Sequence, residues 1–292
     1  LDIVDYPGEW LLDLGLLEKS YADWSAETLA RAEGRPEASA FLEALGQAKP
    51  DGRLDEADAQ SLAQAFTQYL RAARERGLSL CTPGRFLLPC ELEGSPVLTF
   101  APLPAAGRGG RGTLAREMAR RFEAYKAQVM KPFFRDHFAR IDRQVVLVDV
   151  LGAIHRGPAA VEDLRQAMGD ILAAFRPGQN TFLSQLLRGR RVEKILFAAT
   201  KADHLHHTQH PQLTAIMEAL VQDAKQRADY AVAHTAAMSI AALRATTEAT
   251  LPHDGQALDV VQGRLLDSGK QAAFYPGDLP QDPSHLMTPA MD

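Results

Sequence analysis

The sequence predicts an α/β fold, with the parallel sheet of a doubly wound core in the second half and mostly helical segments ahead of it. Two observations carry that reading. Gln144–Asp149 and Lys194–Thr200 are short, continuous apolar runs of the kind that strands buried on both faces produce, and a helical pattern follows each. Strand, helix, strand, helix, strand is the rhythm of a doubly wound sheet. Ahead of them the spacing is mainly helical, following an opening apolar run, Leu1–Val4.

The elements follow in order. The opening run reads as a strand that ends in Asp5-Tyr6-Pro7-Gly8, a sharp turn signal. Leu11 to about Arg31 is helical, stopped by Gly34-Arg35-Pro36. A second helix is expected from Glu56 to Arg76, with Leu62, Ala63, Phe66, Leu70 and Ala73 on one face. Leu78–Phe100, punctuated by Pro and Gly, reads as short strands or a hairpin. Ala105–Gly112 reads as a low-complexity linker, and a long helix then spans Thr113 to Arg140, bent near Pro132. In the second half, helices are expected over Pro158–Phe175 and Pro211–Ala228, with a shorter strand at Met238–Leu243. Residues 251–292, rich in Pro, Gly and Asp, are expected to be loop.

Composition excludes several classes. The 292 residues are 46% hydrophobic and 24% charged, enough apolar material for a sizeable core. No run of about 18 uncharged apolar residues is present, which argues against a transmembrane helix. A net charge of −5 is a poor footprint for a nucleic-acid binder. Cys81 and Cys90 are too few and too loosely spaced for a disulfide framework or a zinc site. With no secretory signal at the start, they read as reduced thiols of a cytoplasmic protein. The chain opens at Leu1 on a strand that needs partners, so the expectation is a fragment of a longer protein.

The chemistry sits at strand ends. Asp5-Tyr6-Pro7-Gly8 is a DxxG motif: the aspartate can hold Mg²⁺ through water, and the glycine amide can approach a γ-phosphate because no Cβ intervenes. Glu9 occupies the place where a water-orienting residue often stands. Thr200-Lys201-Ala202-Asp203 matches the [N/T]KxD signature that reads guanine in P-loop GTPases. Asp203 can accept two hydrogen bonds from guanine's N1–H and amine, which adenine cannot offer, while the stem of Lys201 lies over the base. Ala245, after the next strand, is placed to offer its backbone N–H to the guanine oxygen. Asp149, capping an apolar strand, is a second-rank candidate. His204, His206, His207 and His210 cluster after the base-reading motif. His206 and His210 would share a helical face as zinc ligands can, but a solvated polar loop is the favoured reading. Gly107-Arg108-Gly109-Gly110-Arg111-Gly112-Thr113 satisfies GxGxxG and the outer spacing of a Walker A loop, yet Thr113 stands where the phosphate-binding lysine belongs. Pro102 and Pro104 also break any strand leading into it.

Five segments together resemble the YcjX family of bacterial P-loop nucleotide-binding proteins: Leu1–Leu14, Pro83–Pro89, Asp142–Leu151, Leu196–His204 and Ala242–Glu248. The resemblance implies a Ras-like P-loop core formed by residues 1–9 and 142–250, a helical insertion over 10–141, and a loop-rich end over 251–292. It also implies binding of GTP or GDP with Mg²⁺, hydrolysis of GTP, a place in the envelope-stress response and a membrane-protein partner, with the protein cytoplasmic or peripheral at the inner membrane. The family's motif residues fall on Asp5, Gly8, Thr200, Lys201, Asp203 and Ala245. The family's Walker A loop precedes DxxG, so the 292 residues alone are expected to be inactive. A helical interaction scaffold on a dead core and an ATPase are the rival readings.

Overall fold

The computed structural model describes residues 2–104, 109–136, 141–174, 194–227 and 234–287. It forms two units, Leu1–Ile141 with Ala173–Arg191, and Asp142–Leu172 with Val192–Asp292. The expected boundary at residue 10 is therefore not where the contacts divide, because residues 1–9 group with the helices that follow.

The first unit contains α1 (Gly8–Leu12), α2 (Tyr21–Ala32), α3 (Ser39–Gln47), α4 (Glu56–Glu75), α5 (Gly84–Leu87), α6 (Leu114–Tyr125) and α7 (Lys131–Asp136). Helix α4 starts where Asp55 accepts the amides of Ala57 and Asp58, at 2.8 and 3.3 Å. Its Leu62, Ala63, Phe66, Leu70 and Ala73 are all buried, as their spacing requires. Around that face, Trp24 stacks on Phe122 with ring centroids 4.9 Å apart and meets Phe66 and Phe100 edge-on.

Four expectations for this unit change. Asp2–Pro7 form no strand, because no strand among the described residues pairs with this segment, and Ile3 and Val4 are exposed. The single helix expected over Leu11–Arg31 is broken by a 3₁₀ stretch, Asp13–Glu18. It restarts where Ser20 Oγ accepts the Asp23 amide at 3.1 Å. Leu78–Phe100 holds α5 and two 3₁₀ turns rather than strands, since Pro83, Pro89 and Pro96 remove ladder donors. The expected bend near Pro132 takes the form of a π-helical turn, Lys126–Met130, which accommodates the proline's missing N–H and its bulk. Of the Gly-rich stretch, residues 105–108 lie outside the described residues. Gly109–Gly112 turn into α6, with Gly112 at φ +78° and Thr113 Oγ1 capping the Arg116 amide.

A carboxylate lies buried at the centre of this unit. Asp13 accepts hydrogen bonds from Tyr125 Oη at 2.6 Å and the Gly84 amide at 2.8 Å. Burial pushes its carboxyl up to about 7, against the pull of Tyr125, Gly84 and Arg85.

The second unit carries β1 (Arg143–Val148), α8 (Val150–Arg156), α9 (Pro158–Ala174), β2 (Lys194–Ala199), α10 (His210–Arg227) and β3 (His234–Ser239). The three strands form a parallel sheet in the order β1-β2-β3, with Arg143 opposite Lys194 and Lys194 opposite His234. This is a mixed α/β unit built on a parallel sheet. Central β2 buries Ile195, Phe197, Ala198 and Ala199, but β1 buries only one face. Val145 and Leu147 are 57% and 65% exposed, correcting the expectation of burial on both faces. Strand β3 begins earlier than expected because its register against β2 sets its limits, which leaves Ile240–Thr246 as loop.

The largest correction is at the C-terminal side. Instead of loop, residues 247–274 form an antiparallel sheet of β4 (Thr247–His253), β5 (Gln256–Arg264) and β6 (Gln271–Phe274). Asp254 and Gly255, at φ +47° and +77°, make the two-residue turn between β4 and β5. Pro252 is tolerated because β4 is an edge strand. A short helix, α11 (Ser284–Met287), follows. Among the described residues, no helix is long and apolar enough to cross a membrane.

Candidate functional site

In a parallel sheet the loops after the strands' carboxyl ends are the usual place for ligands, and in the second unit those loops are tied to one another. Ile240 N–H donates to Ala199 O at 2.8 Å, and Ala202 N–H donates to Ile240 O at 3.0 Å. Thr200 joins the end of β1 through its amide and hydroxyl, which donate to Val148 O at 2.9 and 3.3 Å. Lys201 takes the left-handed conformation, φ +63°, as the chain turns out of β2.

Four of the expected residues meet in two pairs. Asp203, 9% exposed, accepts the Ala245 amide on Oδ2 at 3.2 Å, and Thr246 Oγ1 donates to the Asp203 carbonyl. The other carboxylate oxygen of Asp203 has no hydrogen bond among the described residues. Lys201 Nζ donates to Asp149 Oδ2 at 2.7 Å. Asp149 also caps α8 by accepting the Gly152 amide at 2.9 Å, and a Cβ on Gly152 would lie 2.4 Å from Asp149 Oδ2, so any larger residue there would displace the carboxylate. Burial pushes the Asp149 carboxyl up, but Lys201, the Gly152 amide and Arg156 together hold it below the usual range. The ion pair is half-exposed and adds little stability. Its effect is to anchor the lysine head.

Asp5, Gly8 and Glu9 belong to the helical unit. Asp5 is exposed in the extended segment, Gly8 opens α1, and the Glu9 carboxylate pairs with Arg74.

His204 and His207 are exposed, as the polar-loop reading expects, but His206 is buried. His210 Nε2 bonds Ala202 O at 2.8 Å, so the less favoured pairing of His206 with His210 does not form. His206 and His207 instead face Glu248 of β4. A neighbouring cavity of about 220 Å³ is lined by Leu151, His204, Leu205, Thr246, Val261 and Phe274 among others. Asp203 and Ala245 do not line it.

The profile of the YcjX-like family, DUF463, matches residues 1–292. The chain belongs to the YcjX-like family. It is similar to the Ras-like GTPase YcjX of Escherichia coli (strain K12), 37% identical over 290 residues that cover 96% of this chain and 62% of that protein. It is also similar to the Ras-like GTPase YcjX of Shewanella oneidensis, 33% identical over 292 residues, covering 96% of this chain and 60% of that one. The chain thus spans about three fifths of the length of these curated relatives.

Proposed function

We propose that the second unit is the base-reading side of a Ras-like P-loop core that, at the length of its relatives, binds GTP and GDP and hydrolyses GTP. The observation that carries the reading is the Asp203–Ala245 bond at the carboxyl edge of a parallel sheet. Guanine presents two adjacent donors, N1–H and the amine, beside one acceptor, O6. Asp203 presents acceptors and Ala245 a donor, and in the free protein each satisfies the other. A guanine base would replace that bond with one partner for each group, so neither polar group is left unpaired. Adenine offers the opposite pattern.

Thr200 and Lys201 complete this side, Lys201 lending its stem to the base while Asp149 holds its head. On the phosphate side, Asp5 would support Mg²⁺ through water, an oxygen ligand of the kind that ion takes, and Gly8 would approach the γ-phosphate. Glu9 would have to leave Arg74 to orient water. Bound GTP with Mg²⁺ supplies an activated phosphoryl group, and the protein's part is positioning and charge stabilisation. A membrane-protein partner and an envelope-stress role come with the family resemblance and belong to this proposal. The test is competition in the full-length protein. GDP and GTP should displace a fluorescent guanine nucleotide and adenine nucleotides should not; equal displacement by ADP overturns the reading.

A further inference from the structure

A second cluster of chemistry lies just past Asp203, and the nucleotide reading does not use it. His206 and His207 sit between the base-side motif and α10, while Glu248 and Asp259 face them from β4 and β5. The donor atoms of His206, His207 and Glu248 all lie within 4.8 Å of one another. Glu248 Oε2 is 2.6 Å from His207 Nδ1 and 3.8 Å from His206 Nε2. A tetrahedral ion with bonds of about 2.0–2.1 Å holds its donors about 3.3 Å apart. That spacing falls between the two observed separations.

The surroundings orient these atoms as ligands. His206 Nδ1 is 3.0 Å from Thr208 Oγ1 and 3.5 Å from Asp259 Oδ2. With Thr208 donating onward to Asp259 at 3.4 Å, Nδ1 is the protonated nitrogen and the lone pair of Nε2 faces Glu248. Arg244 donates to Glu248 Oε1 and leaves Oε2 for the imidazoles. His206 is 8% exposed and His207 66%, so the cluster is closed beneath and open to solvent on one side.

We propose that His206, His207 and Glu248 form a three-ligand site for a divalent transition-metal ion of zinc's class, with Asp259, Thr208 and Arg244 positioning the ligands. Two imidazoles and one carboxylate suit Zn²⁺, Co²⁺ or Ni²⁺ and not the all-oxygen preference of Mg²⁺. Three protein ligands leave one coordination position for water. Because His206 follows Asp203 and Glu248 follows Ala245 in their segments, the ion would cross-link the two loops that carry the base-side pair. The ion site stands independently of that pair, since it needs no nucleotide.

The experiment titrates the tag-free, chelator-treated chain with Co²⁺, then with Zn²⁺. One Co²⁺ per chain should give visible ligand-field absorption of low coordination number, displaced by Zn²⁺ and not by excess Mg²⁺. His207→Ala and Glu248→Gln should each weaken Zn²⁺ binding by about tenfold or more while keeping the metal-free melting midpoint. His253→Ala, exposed on the same sheet, should bind as the parent does. Absence of stoichiometric Co²⁺, or binding unchanged in both ligand variants, overturns the proposal.

Discussion

Asp203→Asn in the full-length protein should lower GDP affinity by about a hundredfold or more and raise affinity for xanthosine diphosphate. Hydrogen bonds to a charged group contribute about 1.5–3 kcal/mol each, and in the proposed function guanine would make two with this carboxylate, so about 10²–10⁴ in affinity is at stake. The asparagine keeps the size and one acceptor, so the Ala245 amide retains its partner. Its NH₂ group, however, meets the guanine amine donor to donor. Xanthine carries a carbonyl at that position and accepts instead. Fluorescence titration with both diphosphates checks this, and a gain for xanthosine diphosphate cannot come from a misfolded protein. Unchanged GDP affinity in the variant would show that Asp203 does not read the base.

The second large effect concerns stability. The helical unit should lose stability as pH rises from about 4 to 7, and Asp13 sets the slope. Its folded-state carboxyl is pushed up to about 7 from an ordinary value of 3.8. Between those values the folded chain keeps a proton that the unfolded chain releases, so stability falls with rising pH and levels off above about 7. One full proton corresponds to about 1.4 kcal/mol per pH unit. The paired carboxylates act oppositely at lower pH. Glu117, pulled down to about 2 by Arg120 and Arg121 against some burial, favours folding above the ordinary glutamate range and loses that contribution as pH falls towards 2. Asp13→Asn mimics the protonated acid: its carbonyl oxygen accepts the Gly84 amide and its NH₂ donates to the Tyr125 hydroxyl oxygen. Urea midpoints of the helical unit at pH 5 and pH 7.5 should fall in the parent and hold level in the variant. Parallel profiles would place the titration elsewhere.

The sequence displays its local and motif-bearing features and hides its long-range ones. Lys194–Ala199 and Thr200-Lys201-Ala202-Asp203 were legible because a buried strand is a continuous apolar run and the loop after it is short. Glu56–Glu75 was legible because its apolar face repeats at helical spacing. Residues 247–274 misled because Pro252, Asp254 and Gly255 look like loop composition, although Asp-Gly between alternating residues is also a hairpin signal. Asp2–Val4 misled in the other direction, since an apolar run becomes a strand only beside another edge. The pairing of His207 with Glu248 spans 41 residues and depends on that unforeseen sheet, so no spacing rule in the histidine stretch could find it. The position of Asp149 after an apolar strand marks it only weakly in sequence; its bond to Lys201, 52 residues away, is what ties it to the loop after β2.

The most direct measurement is a crystal structure of the full-length protein with GDP. The base should lie at the carboxyl edge of β2 and β3, its N1–H and amine on the Asp203 carboxylate and its O6 on the Ala245 amide, with the 3.2 Å bond between those two groups replaced. A bound nucleotide whose base lies elsewhere, with Asp203 and Ala245 still joined, would contradict the account.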